Sequence, residues 1–238
     1  MRTTAGHRIY AIGDVHGCDG ELGVAHEWIA DDLAQRPHPQ PLLIHLGDYV
    51  DRGPEVPAVI DRLLALGARA DLPTVCLRGN HDEYLHIALT RGWTADAPNW
   101  LQYGGVETCL GYGVEAGLDF DAEALRRNVP EAHQRFLAEL PLWHRLGSYL
   151  FVHAGIRPGI AIEAQSAQDL MWIRREFLES RTDHGWVVVH GHTVTSRVVD
   201  HGNRIGIDTG AVYGGHLSCL VLEEAEVALL GADGPMPL

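Results

Sequence analysis

The chain has 238 residues, 46% of them hydrophobic and 21% charged, with a formal net charge of −14. Such a composition supports one large globular domain with its own core, without disulfide staples. The acidic balance repels phosphate backbones and excludes a nonspecific nucleic-acid binder, but a small anionic substrate could still bind where metal ions make a site locally positive.

There is no run of about 18 apolar residues that could span a membrane, and "MRTTAGHRIYAIGDVHG" lacks an apolar stretch of signal-peptide length. Cys18, Cys76, Cys109 and Cys219 are scattered, with no C-x-x-C pair, and read as reduced thiols. The expectation is a soluble cytoplasmic protein with no membrane partner.

The first elements alternate. "RIYAIG" (8–13) reads as a buried strand ending in a glycine turn. Glu21 to Ala34 carries Leu22, Ala25, Trp28, Ile29 and Leu33 near helical spacing. "PLLIHL" (41–46) is a second strand, "VPAVIDRLLAL" (56–66) a helix closed by Gly67, and "LPTVCL" (72–77) a third strand. This rhythm of βαβ units defines an α/β fold.

Residues 82 to about 141 read as mostly helical, with "EYLHIAL", "WLQYGGVETCL" and "EAHQRFLAEL" the best stretches. After residue 142, "LWHRL" and "SYLFVHAG" read as paired or neighbouring strands, and "QDLMWIRREFL" (168–178) as a helix. "WVVVHGHT", "SRVVD", "RIGIDTG", "HLSCLVLE" and "EVALLGA" are short strands, with a hairpin turn at "DHGN" (200–203). The tail "GADGPMPL" is expected to be poorly ordered. No linker or composition break divides the chain, so residues 1–238 read as a single domain.

The polar clusters follow the strands. "GDVHG" places Asp14 and His16 after the first, "GDYVDRG" places Asp48, Asp51 and Arg52 after the second, and "RGNHD" places Arg78, Asn80, His81 and Asp82 after the third. His153 follows "SYLFV", and His190 and His192 follow "WVVV". Ligands of open α/β sheets bind at the carboxyl ends of strands. Six oxygen and imidazole donors gathered there suit Mn²⁺, Fe²⁺ or Zn²⁺. They suffice for two ions if one carboxylate is shared: Asp14, His16 and Asp48 for one, Asp48, Asn80, His153 and His192 for the other. Paired ions are the recurrent arrangement for phosphate-ester hydrolysis. His45 reads as a core histidine, Asp208 as a turn stabiliser, His190 as a candidate support to the ligands, and Trp93, Trp100, Trp143 and Trp172 as core packing.

These motifs resemble the calcineurin-like metallophosphoesterase superfamily, and "DRG" resembles its phosphoprotein phosphatase branch. "LFVHAGIRPG", "LMWIRREFL" and "RIGIDTGAVYGG" are similar to small bacterial members of that branch. The resemblance spans about residues 8 to 222 and implies a four-layer α/β/β/α sandwich with two ions at one edge. It implies the same six metal ligands, with manganese first and iron or zinc as alternatives. His81 matches the family's general acid, Asp51 its carboxylate partner, and Arg52 and Arg174 phosphate-binding arginines. Tyr213 matches a pocket-lining tyrosine.

The expected reaction is hydrolysis of phosphate monoesters by direct attack of a water held between the ions. The substrate is phosphoserine or phosphothreonine of a protein, phosphotyrosine less so, with the 82–141 segment bordering the cleft. Asp82 stands where this branch usually has Glu, and "GNHD" and "GGHLSCL" are also similar to symmetrical dinucleoside tetraphosphatases. A hydrolase of dinucleoside tetraphosphates or of other small phosphoesters is therefore the alternative, and Asp51 tilts the choice towards the phosphatases.

Overall fold

The computed structural model describes residues 2–92, 97–116 and 120–238, so Trp93 lies outside the described residues. In chain order, β1 (Arg8–Ile12), α1 (Asp19–Gln35), β2 (Pro41–His45), α2 (Val56–Gly67) and β3 (Thr74–Cys76) form the expected βαβ units. The helical segment follows as α3 (Asn80–Arg91), α4 (Ala97–Trp100), α5 (Val106–Gly111), α6 (Ala122–Asn128) and α7 (Glu131–Glu139). Next come β4 (Trp143–Leu146), β5 (Tyr149–Val152), α8 (Ala167–Trp172), α9 (Arg175–Leu178) and β6 (Val187–His190). The chain ends in β7 (Val199–Asp200), β8 (Arg204–Gly206), β9 (Cys219–Glu223), β10 (Glu226–Gly231) and β11 (Gly234–Pro237).

Among the described residues these strands form two sheets, ordered β11-β10-β9-β1-β2-β3 and β4-β5-β6-β8-β7. β1, β2 and β3 run parallel in the first, β5, β6 and β8 in the second. Side-chain alternation makes the layers, because successive residues of a strand face opposite sides. Ile9 and Ala11 of β1, Leu42 and Ile44 of β2, Tyr149 and Phe151 of β5, and Val187 and Val189 of β6 share one buried cluster between the sheets. The intervening Tyr10, Ile12 and Leu43 pack with α1 and α2. Leu150, Val152 and Val188 pack with Leu170 of α8 and Phe177 of α9. This is the expected mixed α/β fold, two sheets flanked by helices. No helix among the described residues is long and apolar enough to cross a membrane.

Two local expectations fail. The tail is ordered as β11, which pairs antiparallel with β10 (Leu229 with Met236, Leu230 with Pro235). A turn at Ala232–Asp233 leads into Gly234 at φ +92°, and the neighbouring strand supplies hydrogen-bond partners that composition cannot reveal. The helix over 168–178 breaks at Ile173 and Arg174, because Ile173 turns extended (φ −60°, ψ 140°). Ile173 and Phe177 both bury against the outer face of the second sheet, and the break leaves Arg174 exposed.

The buried His45 at the end of β2 places Nε2 3.0 Å from Nε2 of His26 on α1. Burial pushes His26 down to about 4 and His45 well below the ordinary histidine value. Both are neutral in the fold, whereas the unfolded chain titrates them near 6.5. Their contribution is intact above about pH 6.5 and is lost as pH falls towards 4, where the unfolded state binds more protons. The thermal midpoint of metal-free protein should therefore fall across that window, and His26→Gln should flatten part of the slope. An unchanged slope in the variant would contradict neutral burial of the pair.

Candidate active site

Each parallel strand ends in a tight turn that carries polar side chains to the same edge. The turn after β1 is tied to the turn after β2 by Val15 N–H and His16 N–H, both donating to Asp48 O, at 3.1 and 2.8 Å. Of seven non-glycine residues with positive φ among the described residues, five are His16 (46°), Asp48 (53°), Asp51 (71°), Arg52 (70°) and His192 (63°). Such backbone costs energy and clusters at functional sites. Asp82 holds one of these turns. Its carboxylate accepts N–H bonds from Asp48 (2.8 Å), Tyr49 (2.9 Å) and Gly79 (2.9 Å).

Asp48 lies at the centre. Its Oδ2 is 3.5 Å from His16 Nε2 and 3.4 Å from His153 Nε2, and its Oδ1 accepts the His81 N–H at 2.9 Å. Each of those two imidazoles is oriented by its other nitrogen: His16 Nδ1 lies 2.8 Å from Val50 O and His153 Nδ1 3.0 Å from Leu46 O. A carbonyl only accepts, so Nδ1 carries the proton and Nε2 presents its lone pair to the centre. Asn80 Oδ1 is 2.9 Å from His153 Nε2. Buried His192 leaves Nε2 without a hydrogen-bond partner. Asp14 accepts the His192 N–H at 3.0 and 3.2 Å.

Two sets of donor atoms lie within 4.8 Å of one another: His16, Asp48 and His81, and Asp48, His153 and His192. Asp14 belongs to neither set, being turned to the His192 backbone. Burial drives His16 to about 3, His192 to about 2 and His153 below its ordinary value, so all three are neutral, as metal ligation requires. Burial, and after it the charges of Asp208 and Asp48, push Asp14 up, and burial pushes Asp208 up against the opposing Gly210 N–H bond. Crowded carboxylates, neutral imidazoles and an orphaned His192 nitrogen form a donor set that fits divalent cations.

His81 differs from these three. Burial opposes its charge, but Asp48 and the 2.6 Å contact of Nδ1 with Asp51 Oδ2 outweigh burial and raise it. Arg52 NH2 lies 2.8 Å from His81 Nε2, and NH1 reaches His16 Nε2, so the guanidinium spans the two rings. Exposed Tyr213 stacks on it, its ring centre 5.5 Å from Arg52 Cζ. Exposed Arg174 is close enough to His192 for its charge to lower that imidazole's pKa. Trp172 stands edge-on to His192 at 6.1 Å and to Tyr84 at 5.4 Å, lining the site rather than only packing a core.

Other expectations resolve locally. Asp208 accepts the Gly210 N–H at 3.0 Å, a turn bond. His190 packs on Phe177, ring centres 5.1 Å apart, and its Nδ1 lies 3.0 Å from Gly191 O. Sequence reading misses Trp100 and Thr108. Trp100 Nε1 donates to Asp51 Oδ2 at 2.9 Å, and Thr108 Oγ1 donates to Asp51 Oδ1 at 2.5 Å. Their only sequence signal is a polar or amphipathic side chain in an otherwise helical stretch.

This fold and donor set define a class, the binuclear phosphoesterases. The Calcineurin-like phosphoesterase family model matches residues 7–218, and the chain belongs to that family. It is a metallophosphoesterase, a phosphatase-type hydrolase of a dimetal-dependent family. It is 28% identical to serine/threonine-protein phosphatase 1 of Salmonella typhimurium, over 88% of this chain and 89% of that protein. It is 26% identical to the asymmetrical bis(5'-nucleosyl)-tetraphosphatase PrpE of Anoxybacillus flavithermus, over 94% of each. The fold is shared with a cold-active protein-tyrosine phosphatase of a psychrophilic Shewanella species, with a TM-score of 0.65, 16% identity, and coverage of 100% of this chain and 83% of that one.

Proposed function

We propose that the protein is a two-metal phosphomonoesterase acting on phosphoserine or phosphothreonine of proteins. Asp14, His16 and Asp48 would hold one ion and Asp48, Asn80, His153 and His192 the other, with manganese the first choice for oxygen and imidazole donors. When bound, such ions activate water and neutralise charge on the phosphoryl group. Arg52 and Arg174 bind phosphoryl oxygens, with Arg52 offering two N–H groups in one plane, and Tyr213 holds Arg52 over the cleft. His81 protonates the departing oxygen, and Asp51 fixes its ring and favours its charged form. The four free cysteines support a cytoplasmic location.

The observation that carries this reading is the buried Asp51–His81 contact of 2.6 Å. With the charge of Asp48, it raises the pKa of this one histidine beside three that are lowered, as a proton donor beside neutral ligands needs to be. A serine or threonine alkoxide leaves only when protonated, whereas a nucleotide phosphate is a far weaker base. A second reading, hydrolysis of a dinucleoside tetraphosphate or another small phosphoester, is favoured by the similarity to a bis(5'-nucleosyl)-tetraphosphatase over 94% of the chain.

The test is a panel of phosphoserine, phosphothreonine and phosphotyrosine peptides with diadenosine tetraphosphate, on manganese-loaded, metal-quantified protein. Higher kcat/KM on phosphoserine or phosphothreonine is expected, and the reverse order overturns the reading. Arg52→Ala should lower kcat/KM roughly 10–100-fold, the scale of a lost charge-assisted hydrogen bond, with metal content intact. Unchanged kinetics would remove Arg52 from the site.

A further inference from the structure

The helical segment reaches into the site from one side and grips both residues of the Asp51–Arg52 pair. Buried Asp51 has both oxygens engaged: Oδ1 accepts Thr108 Oγ1–H at 2.5 Å, and Oδ2 accepts Trp100 Nε1–H at 2.9 Å beside the His81 contact. Thr108 Oγ1 also accepts the Asp51 N–H at 2.9 Å, pinning backbone and side chain of a residue at φ +71°. Both supports are buried, Trp100 at 1% and Thr108 at 0% exposure.

Between them the chain kinks at Gly104, which leaves helical geometry at φ +114° and ψ 6°. Gly104 O accepts the Arg52 N–H at 3.0 Å. The approach is too close for larger residues. A Cβ on Gly104, already at φ +114°, would lie 2.5 Å from Arg52 Cγ, and one on Gly105 would lie 2.5 Å from the Trp100 indole.

We infer that Trp100 and Thr108 are positioning residues for proton donation by His81. Neither touches a reacting atom. They act through Asp51, whose carboxylate would otherwise rotate about its side-chain bonds and release the imidazole. A carboxylate with three fixed donors has one orientation, and an imidazole bound to it inherits that orientation. The inference rests on His81 as the acid, and it assigns to the segment between α3 and α6 a part in the chemistry as well as at the border of the cleft.

Leaving-group dependence tests this, because a misplaced acid matters only when the departing oxygen needs a proton. Phenyl phosphate has a strongly basic leaving oxygen and 2,4-dinitrophenyl phosphate a weakly basic one. Thr108→Val and Trp100→Phe should lower kcat on phenyl phosphate roughly 10–100-fold, the scale of losing a partner that orients an imidazole, and change it less than about threefold on the dinitrophenyl ester. KM and metal content should hold, and Thr108→Ser should keep near-native rates on both. Equal losses on the two esters, or no loss on either, would overturn the positioning role. Trp100→Phe, which removes the indole N–H and keeps an aromatic ring in the core, keeps the test open if Thr108→Val does not fold. His81→Asn separates the two claims. If it shows the selective loss and the two support variants do not, positioning fails while the acid stands. If it shows none, the acid assignment itself fails and the positioning role falls with it.

Discussion

Asp48→Asn should cost about a thousandfold in kcat/KM, beyond the 10–100-fold typical of partners outside the ligand set, and should reduce bound metal below two ions per chain. The substitution keeps the side-chain shape, so the Asp82 carboxylate keeps its bonds to the N–H groups of Asp48, Tyr49 and Gly79, at 2.8 to 2.9 Å. What changes is the face towards His16 and His153, whose Nε2 atoms lie 3.5 and 3.4 Å from Oδ2. An ionised oxygen there can serve two cations at once. An amide carries no charge, and if its nitrogen takes that place it donates N–H to the lone pairs the cations need. Metal analysis of the purified variant beside its kinetics decides this, and two retained ions with near-native rates would refute the shared role.

The second large effect is expected from His81→Asn, at roughly 10²–10⁴-fold in kcat on alkyl phosphomonoesters, the usual worth of general acid catalysis. Metal content should stay at two ions. His81 does stand within 4.8 Å of the His16 and Asp48 donors, so an alternative in which it binds metal is open to the same experiment. Loss of metal in the variant would make His81 a ligand, whereas loss of kcat alone fits the acid. Its Nδ1 contact with Asp51 at 2.6 Å leaves Nε2 available for either role, so the metal content decides.

The parts of this site legible in the sequence are those bound to strand ends. Asp14, His16, Asp48, Asn80, His153 and His192 each follow a short apolar run, and the parallel order of β1–β2–β3 and β5–β6–β8 carries them to one edge. Strand periodicity and glycine turns are local signals, so they survive in one sequence. Contacts across the chain do not. Trp100 and Thr108 reach Asp51 over separations of 49 and 57 residues, and no spacing rule announces such a pair. Asp82 shows a subtler limit. It reads as a departure from a family pattern, yet it holds the turn on which Asp48 sits. The ordered tail is invisible to composition because small and polar residues look unstructured until a neighbouring strand such as β10 supplies partners. Arg174 is exposed because Ile173 leaves the helix for the core, and a helical period alone carries that helix through to Leu178.

Anomalous diffraction from manganese-soaked crystals tests whether two ions share Asp48. Two peaks are expected within bonding distance of a common Asp48 carboxylate, one reached by Asp14 and His16, the other by Asn80, His153 and His192. A single peak, or a pair in which Asp48 contacts only one, would contradict that sharing.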